Sequence, residues 1–266
     1  MIISIINSKG GVGKTVTCVH LGAALARAGF STLLIDVDMQ HGLTNYFNLN
    51  TEGITTTDVL LRGANVDEAA QIVRPGLRCV PASRAIESAE IELSTLPGAE
   101  LRLRRAMKNA GRVDFVLIDC PSGWGAVTRN ALLASGAFVV PINSEPASVT
   151  CAVDTEAGAR ELGAFYDDAP ALLGVLLTRF RQTNAARAVA SQTCRQWGKS
   201  VFETRIRQAE RVNDLSIRRE TASDQASGVV GEDYESLARE VIARCHPKQT
   251  RRAPKSAAKT TAKMKA

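Results

Sequence analysis

The chain has 266 residues, 45% hydrophobic and 23% charged, enough for one large α/β unit with a substantial buried core. No apolar run approaches the roughly 20 residues that span a bilayer. The six cysteines (18, 79, 120, 151, 194 and 245) include no C-x-x-C pair, which argues against a disulfide scaffold, a zinc site or an iron–sulfur cluster. The formal charge of +6 is uneven: seven basic residues and no acid lie from Lys248 to the end, leaving about −1 for residues 1–247.

In chain order, residues 2–6 (Ile-Ile-Ser-Ile-Ile) read as a buried strand, which fits neither a secretion signal nor a separate leading domain. A glycine-rich turn, Lys9-Gly10-Gly11-Val12-Gly13-Lys14-Thr15, leads into a helix over 16–28 that keeps Val19, Leu21, Ala24 and Leu25 on one side. Residues 31–38 form an apolar strand ending in two acids, Asp36 and Asp38, the composition of a strand buried on both faces. A helical stretch at 55–62 precedes a short strand at 77–81, and an arginine-rich helix is predicted at 99–110. Residues 113–119 form a strand that ends in Asp119 and runs into Cys120-Pro121-Ser122-Gly123. Apolar strands at 137–142 and 171–177 alternate with helices at 148–162 and 185–197, and a helix at 232–245 closes the fold.

This alternation predicts a doubly wound, mostly parallel α/β sheet with helices on both faces, as one domain over residues 1–247. Residues 248–266 are rich in Ala, Thr and Lys and lack an apolar stripe, so a disordered basic tail is expected there. Such a tail suits salt-sensitive contact with nucleic acid; a purely solubilising role fits the same composition.

Strand, glycine-rich turn and helix start together make the context of a phosphate-binding loop. Glycines let the backbone curl until several N–H groups face one oxyanion, and the helix N-terminus adds its dipole. Lys14 then reaches the β- and γ-phosphates, and the Thr15 hydroxyl is placed to ligate Mg²⁺. Asp36, Asp38 and Asp119 end strands beside this loop, where an open α/β sheet places its ligand. Asp119, after four apolar residues, has the pattern of a Walker B acid that holds Mg²⁺ directly or through water. Phosphoryl transfer is mainly positioning and charge stabilisation, so these groups form a sufficient set.

The loop departs from the common G-x-x-x-x-G-K-[ST] pattern: position 8 is Ser8, not glycine, and a second lysine, Lys9, precedes the glycines. Here the chain resembles the ParA/MinD group of P-loop ATPases, whose deviant Walker A motif reads K-G-G-x-G-K-[ST]. The resemblance continues in Ile35-Asp36-Val37-Asp38-Met39-Gln40, where Met39 replaces the proline of D-x-D-P-Q, and in Val140-Pro141 followed by Glu145. It extends to Gly174-Val175-Leu176-Leu177-Thr178, Val201-Phe202-Glu203-Thr204-Arg205-Ile206 and Gly231-Glu232-Asp233-Tyr234, and so covers about residues 1–245.

The resemblance implies an ATP hydrolase with ATP and Mg²⁺ as cofactors, the nucleotide held by Lys9, Gly10, Gly11, Val12, Gly13, Lys14 and Thr15. Lys9 acts across a dimer interface on the partner's nucleotide, Lys14 acts in cis, and Asp38 orients the attacking water; Thr15, Asp38 and Asp119 face the metal. Thr178 and Arg179, at a strand end, are assigned to the adenine pocket. The resemblance further implies an ATP-dependent sandwich homodimer that coats DNA without sequence preference, through the stretch holding Arg205, Arg207, Arg211, Arg218 and Arg219. A solvated basic face accounts for those arginines equally well. Hydrolysis stimulated by a ParB-like adaptor, in the cytoplasm on the nucleoid, would then segregate or position a plasmid, chromosome or integrated element. The alternative is a MinD-like ATPase positioning cargo at a membrane. That needs an amphipathic C-terminal helix with bulky apolar residues, and beyond Pro247 the chain offers only Met264, so no membrane partner is expected. Cluster-carrying relatives need interface cysteines, and Cys120 reads better as a packed strand-end thiol.

Overall fold

The apolar runs assemble side by side in the computed structural model, which describes residues 1–166, 170–209, 215, 218–222 and 228–246. In chain order the elements are β1 (Ile2–Ile5), α1 (Lys14–Arg27), β2 (Thr32–Asp36), α2 (Gly42–Phe47), α3 (Thr56–Arg62), α4 (Val66–Ala69), β3 (Gln71–Arg74) and β4 (Leu77–Val80). Then come α5 (Ile86–Thr95), a 3₁₀ turn (Ala99–Leu101), α6 (Arg102–Lys108), β5 (Phe115–Asp119), α7 (Ala126–Ala134) and β6 (Ala137–Ile142). The last are α8 (Pro146–Phe165), β7 (Ala171–Leu177), α9 (Asn184–Trp197) and α10 (Val229–Cys245).

One seven-stranded sheet runs in the order β3-β4-β2-β5-β1-β6-β7, parallel throughout except for the β3–β4 pair. Its central strands are buried on both faces. In β5, Phe115 and Leu117 face one core with Val19, Leu21 and Leu25 of α1 and Tyr234, Leu237 and Val241 of α10. Val116 and Ile118 face the other, with Leu60 of α3, Leu93 of α5, Leu132 of α7 and Val189 of α9. This two-sided burial is why the strands read as unbroken apolar runs. The chain leaves β1 toward β2 on one side, while β5 and β6 flank β1 directly. The carboxyl ends of β2, β5, β1 and β6 therefore lie together, the place where a sheet of this kind opens a crevice.

Three differences from the sequence expectation have physical causes. The antiparallel edge strand β3 carries Ile72 81% exposed, so it lacks the apolar run that marks the buried strands. The helix expected over 99–110 breaks into a 3₁₀ turn and α6, where the Leu103 N–H donates to the Asn130 side chain at 3.2 Å. The helix expected at 148–162 starts at Pro146, whose fixed φ suits the first helical position. Helices α2, α5 and α7 lie in stretches the periodicity leaves unassigned. Cys18, Cys79 and Cys120 are buried free thiols, with burial pushing each of them up in pKa and away from reactivity. Residues 247–266, including the basic tail, lie outside the described residues.

Beyond β7, residues 201–207 run alongside its edge through parallel bridges Val175–Val201 and Phe180–Arg207. Helix α10 fastens this segment: the Glu240 carboxylate accepts from the N–H groups of Glu203 (3.0 Å) and Thr204 (2.7 Å). The Arg244 guanidinium donates to the carbonyls of Leu173 (2.7 Å), Ser200 (3.2 Å) and Val201 (3.0 Å). Gly174 sits beneath this knot; a Cβ there would lie 2.6 Å from Phe202 and 2.8 Å from the Ser200 carbonyl oxygen. Gly174→Ala is expected to destabilise the chain by about 1–3 kcal/mol, the usual overpacking penalty, measured by urea unfolding; an unchanged midpoint would show that the segment shifts freely.

Candidate functional site

The loop between β1 and α1 owes its shape to two glycines with positive φ, Gly11 at 73° and Gly13 at 88°. Gly13 is the N-cap of α1, and no side chain caps the helix start. The first-turn N–H groups of a helix have no partner within it, so this end attracts an anion. Side chains pin the loop from outside. The Asn7 amide donates to the Pro141 carbonyl at 2.8 Å and its oxygen accepts from the Lys9 N–H at 2.9 Å. The Thr178 hydroxyl donates to the Val12 carbonyl at 2.7 Å and lies 3.0 Å from that of Ile142, which accepts from the Thr178 N–H at 2.8 Å.

Lys14 is only 6% exposed. Its ammonium donates to the carbonyls of Asn7 and Lys9, each at 3.2 Å, and to the Ser122 hydroxyl at 2.8 Å. Burial lowers its pKa, opposed by the carboxylates of Asp119 and Asp38. Above it opens a cavity of about 440 Å³. It is lined by Gly10, Gly11, Gly13, Lys14, Thr15 and Asp38 together with residues 206–209 and Tyr234.

Asp36 and Asp119 are register partners at the ends of β2 and β5. Both oxygens of Asp119 are buried without a hydrogen bond; burial and the Asp36 charge push its pKa well up, and the nearby Thr15 hydroxyl pulls it down. Asp36 organises the chain that follows it, accepting from the Thr44 N–H (2.8 Å), the Thr44 hydroxyl (2.7 Å) and the Asp38 N–H (3.2 Å). This brings Asp38 to the cavity and Gly42 against Thr15, where a Cβ on Gly42 would lie 2.7 Å from the Thr15 hydroxyl oxygen. Among the described residues no cluster of three His, Cys, Asp or Glu forms a metal cage by itself. A hydroxyl beside an orphaned carboxylate is instead the partial donor set with which proteins hold Mg²⁺ together with phosphate.

The candidate residues separate into groups. Gly10, Gly11, Gly13, Lys14, Thr15 and Asp38 share the cavity wall; the Val12 side chain is fully buried, so only its backbone faces the loop. Lys9 is not among the residues that line the cavity and pairs with the Glu145 carboxylate. Thr178 and Arg179, expected at the base, line the cavity but bond the loop itself, through the Val12 and Gly11 carbonyls. Arg207 is not a free surface cation: its guanidinium meets Asp233 at 2.6 Å and donates to the Val229 carbonyl at 3.0 Å, on the cavity wall. Arg205 is exposed, its guanidinium 4.9 Å from the Phe180 ring centre; Arg218 and Arg219 are also exposed, and Arg211 lies outside the described residues. Sequence reasoning missed Ser122, residues 206–209 and Tyr234 as cavity wall; only the position of Ser122, three residues after Asp119, signalled it.

Burial raises the Asp36 carboxyl to about 6, against the pull of its Thr44 and Asp38 hydrogen bonds. A folded-state pKa above the unfolded value of about 3.9 means the folded chain holds this proton more tightly. The group therefore favours folding as pH falls through 6 and opposes it as pH rises. Between pH 7.5 and 5.5 the magnesium-free chain should gain about 1 kcal/mol relative to Asp36→Asn, read from paired urea melts; a pH-independent difference would refute a protonatable Asp36.

A family model for the AAA domain matches residues 1–154. The chain is 32% identical over 260 residues to the chromosome partitioning protein ParA of Caulobacter vibrioides, covering 95% of this chain and 97% of that protein. It is 34% identical over 245 residues to the chromosome-partitioning ATPase Soj of Thermus thermophilus, covering 91% and 95%. Among solved structures, cobyrinic acid a,c-diamide synthase from Mycobacterium smegmatis, with bound ATP analog and magnesium, matches with a TM-score of 0.79 at 25% identity, over 92% of this chain and 95% of that one. A mostly parallel sheet, a glycine loop at its crevice and near-full-length relatives above 30% identity agree: this chain belongs to the ParA/Soj family of partition ATPases.

Proposed function

We propose that this chain binds ATP with Mg²⁺ in the 440 Å³ cavity and hydrolyses it slowly, as the nucleotide switch of a partition system. The observation that carries this reading is the buried Lys14 ammonium beneath the glycine loop, with the orphaned Asp119 carboxylate behind Thr15. The loop N–H groups and Lys14 would take the phosphates. Thr15 and Asp119, with Asp38 nearby, would hold Mg²⁺, which supplies charge neutralisation on the phosphate oxygens. Asp38, fixed by its contact with Gln40 N–H at 2.9 Å, would orient the attacking water. Lys9 and Glu145 lie outside the cavity, and we assign Lys9 to the nucleotide of a second copy, exchanging Glu145 for phosphate on formation of an ATP-dependent homodimer.

Arg205, Arg218 and Arg219, with Arg211 and the basic residues 248–266, are our assignment for contact with non-specific DNA on the nucleoid; Arg207, held by Asp233, is assigned to the cavity wall instead. A ParB-like adaptor is the partner proposed to stimulate turnover. No described helix is long and apolar enough to cross a membrane, and nothing observed favours the membrane-positioning alternative.

The deciding experiment is binding of the full chain to random-sequence duplex DNA with ATP, ADP or no nucleotide at two salt concentrations, beside a chain ending at Pro247. ATP-dependent, salt-sensitive binding that survives truncation is expected. Binding that ignores nucleotide and vanishes with the tail would reduce the DNA contact to a basic tether, and ATP-dependent pelleting with anionic liposomes would favour the membrane reading. Lys14→Ala should weaken ATP binding at least tenfold, roughly one charged hydrogen bond, by titration calorimetry. Asp38→Ala should keep ATP binding but lose about a hundredfold in turnover; a normal rate would remove Asp38 from the mechanism.

A further inference from the structure

A second cavity of about 580 Å³ opens between α8, the start of α7 and the 3₁₀ turn before α6, and shares no wall residue with the first. On α8 its wall is Gly158, Glu161, Leu162 and Phe165, the i, i+3, i+4 and i+7 positions of one helix face. Trp124 lies against this face: a Cβ on Gly158 would sit 2.6 Å from the indole, so only glycine admits the ring there. The Trp124 carbonyl accepts from the Arg129 guanidinium at 3.0 Å, which holds the residue by its backbone as well. Glu100 and Tyr166 complete the wall as neighbours, the Tyr166 hydroxyl pushed up in pKa by burial first and by the Glu100 carboxylate beside it.

Three aromatic rings and two carboxylates therefore meet in one preformed hollow, of a size that takes a side chain or a small ligand. Phe165 is 79% exposed beside it, a ring left in water. The exposed Glu161 carboxylate has no hydrogen bond or ion pair among the described residues. The wall's own cation, Arg129, is engaged with the Trp124 carbonyl. An anion would meet two like charges here, and a purely apolar occupant would cover the acids without pairing them. A guanidinium suits both parts of the wall: its plane stacks on aromatic faces, and its fork of N–H donors matches a carboxylate.

We propose that this second cavity docks a segment of a partner protein, which inserts an arginine among Trp124, Phe165 and Tyr166 with its guanidinium on Glu161. An apolar residue next to that arginine covers Phe165 and Leu162. Two acids against one engaged cation leave the wall net negative, the complement of such a basic segment. The contact needs no nucleotide and lies outside the ATP cavity, so it stands or falls apart from the nucleotide reading.

The test uses the full chain carrying Trp197→Phe, which leaves Trp124 as the single tryptophan of the two. Its emission is followed, without nucleotide, on titration with the capped peptide Ala-Leu-Arg-Leu-Ala and with the same peptide carrying neutral citrulline for arginine. A saturable shift is expected, with the citrulline peptide bound about tenfold more weakly, as for loss of a charged hydrogen bond. Glu161→Gln should weaken the arginine peptide about tenfold and abolish the preference over citrulline, while Phe165→Ala should weaken both peptides. Calorimetric titration of the wild-type chain reads the same ranking should Trp197→Phe fail to fold. Equal binding of the two peptides, or no saturable shift with either, overturns the proposal. So does binding by a chain ending at Pro247 but not by the full chain, which would make the basic tail the occupant. A Trp124 emission that changes with chain concentration in the absence of peptide would assign the cavity to a second copy, and equally overturns it.

Discussion

A buried ammonium tolerates its environment only if each of its protons has an acceptor, and the centre of this molecule is arranged around that requirement at Lys14. Two of the acceptors are carbonyls of the loop that carries the lysine, so loop and side chain hold each other in one conformation. The loop could not keep those carbonyls turned inward alone. Asn7 ties it to β6 through the Pro141 carbonyl, and Thr178 at the end of β7 ties it through Val12. Two strands on one side of β1 thus fix the backbone of a turn that begins on β1, and the parallel order of the sheet becomes a condition for the chemistry.

The charge around Lys14 is unbalanced in the same place. Asp36 and Asp119 lie side by side on neighbouring strands, with Asp38 two residues beyond the first. Burial pushes both toward their protonated forms, aided at Asp36 by the Asp38 charge and at Asp119 by the Asp36 and Asp38 charges, the expected response of buried carboxylates with too few cations. Asp36 is compensated by three hydrogen bonds and serves the fold of the 38–44 loop. Neither Asp119 oxygen has a hydrogen-bond partner within geometric reach, and only the neighbouring Thr15 hydroxyl and the Lys14 charge favour its ionised form. The two acids resemble each other in sequence and in burial; their hydrogen bonds separate their roles.

How much of this was legible beforehand follows from the same physics. The central strands announced themselves because both faces are covered, and the glycine turn because φ values of 73° and 88° cost an ordinary residue too much. Strand β3 was illegible because an exposed edge strand needs no apolar run, and α2 because it starts from His41 and ends at Asn48, both at positive φ without glycine. The glycine-loop part of the cavity wall could be read because it is local, strand to turn to helix. Another part is assembled from residues 206–209 and Tyr234, brought from far along the chain by the packing of α10 on α1. Thr178 and Arg179 were placed at the right strand end, but their hydrogen bonds turn them to the loop. No periodicity encodes such contacts.

Arg207 shows why basic residues in a stretch cannot be counted as one surface. Its N–H and its guanidinium both engage Asp233, near the start of α10, while the nearby Arg205 stays exposed over Phe180. Both arginines of the 201–207 edge are exposed, but Arg207 is tied to Asp233 at the cavity wall while Arg205 lies over the Phe180 ring. Since α10 also holds Glu203, Thr204 and the Leu173 carbonyl through Glu240 and Arg244, a rigid helix joins the cavity wall to the exposed basic edge. Any displacement of Arg207 by a ligand must either break its pairing with Asp233 or move α10 with it. Breaking the guanidinium pair still leaves Asp233, only 8% exposed, accepting from the Arg207 N–H at 2.9 Å, so the backbone contact between edge and helix outlasts the side-chain pair.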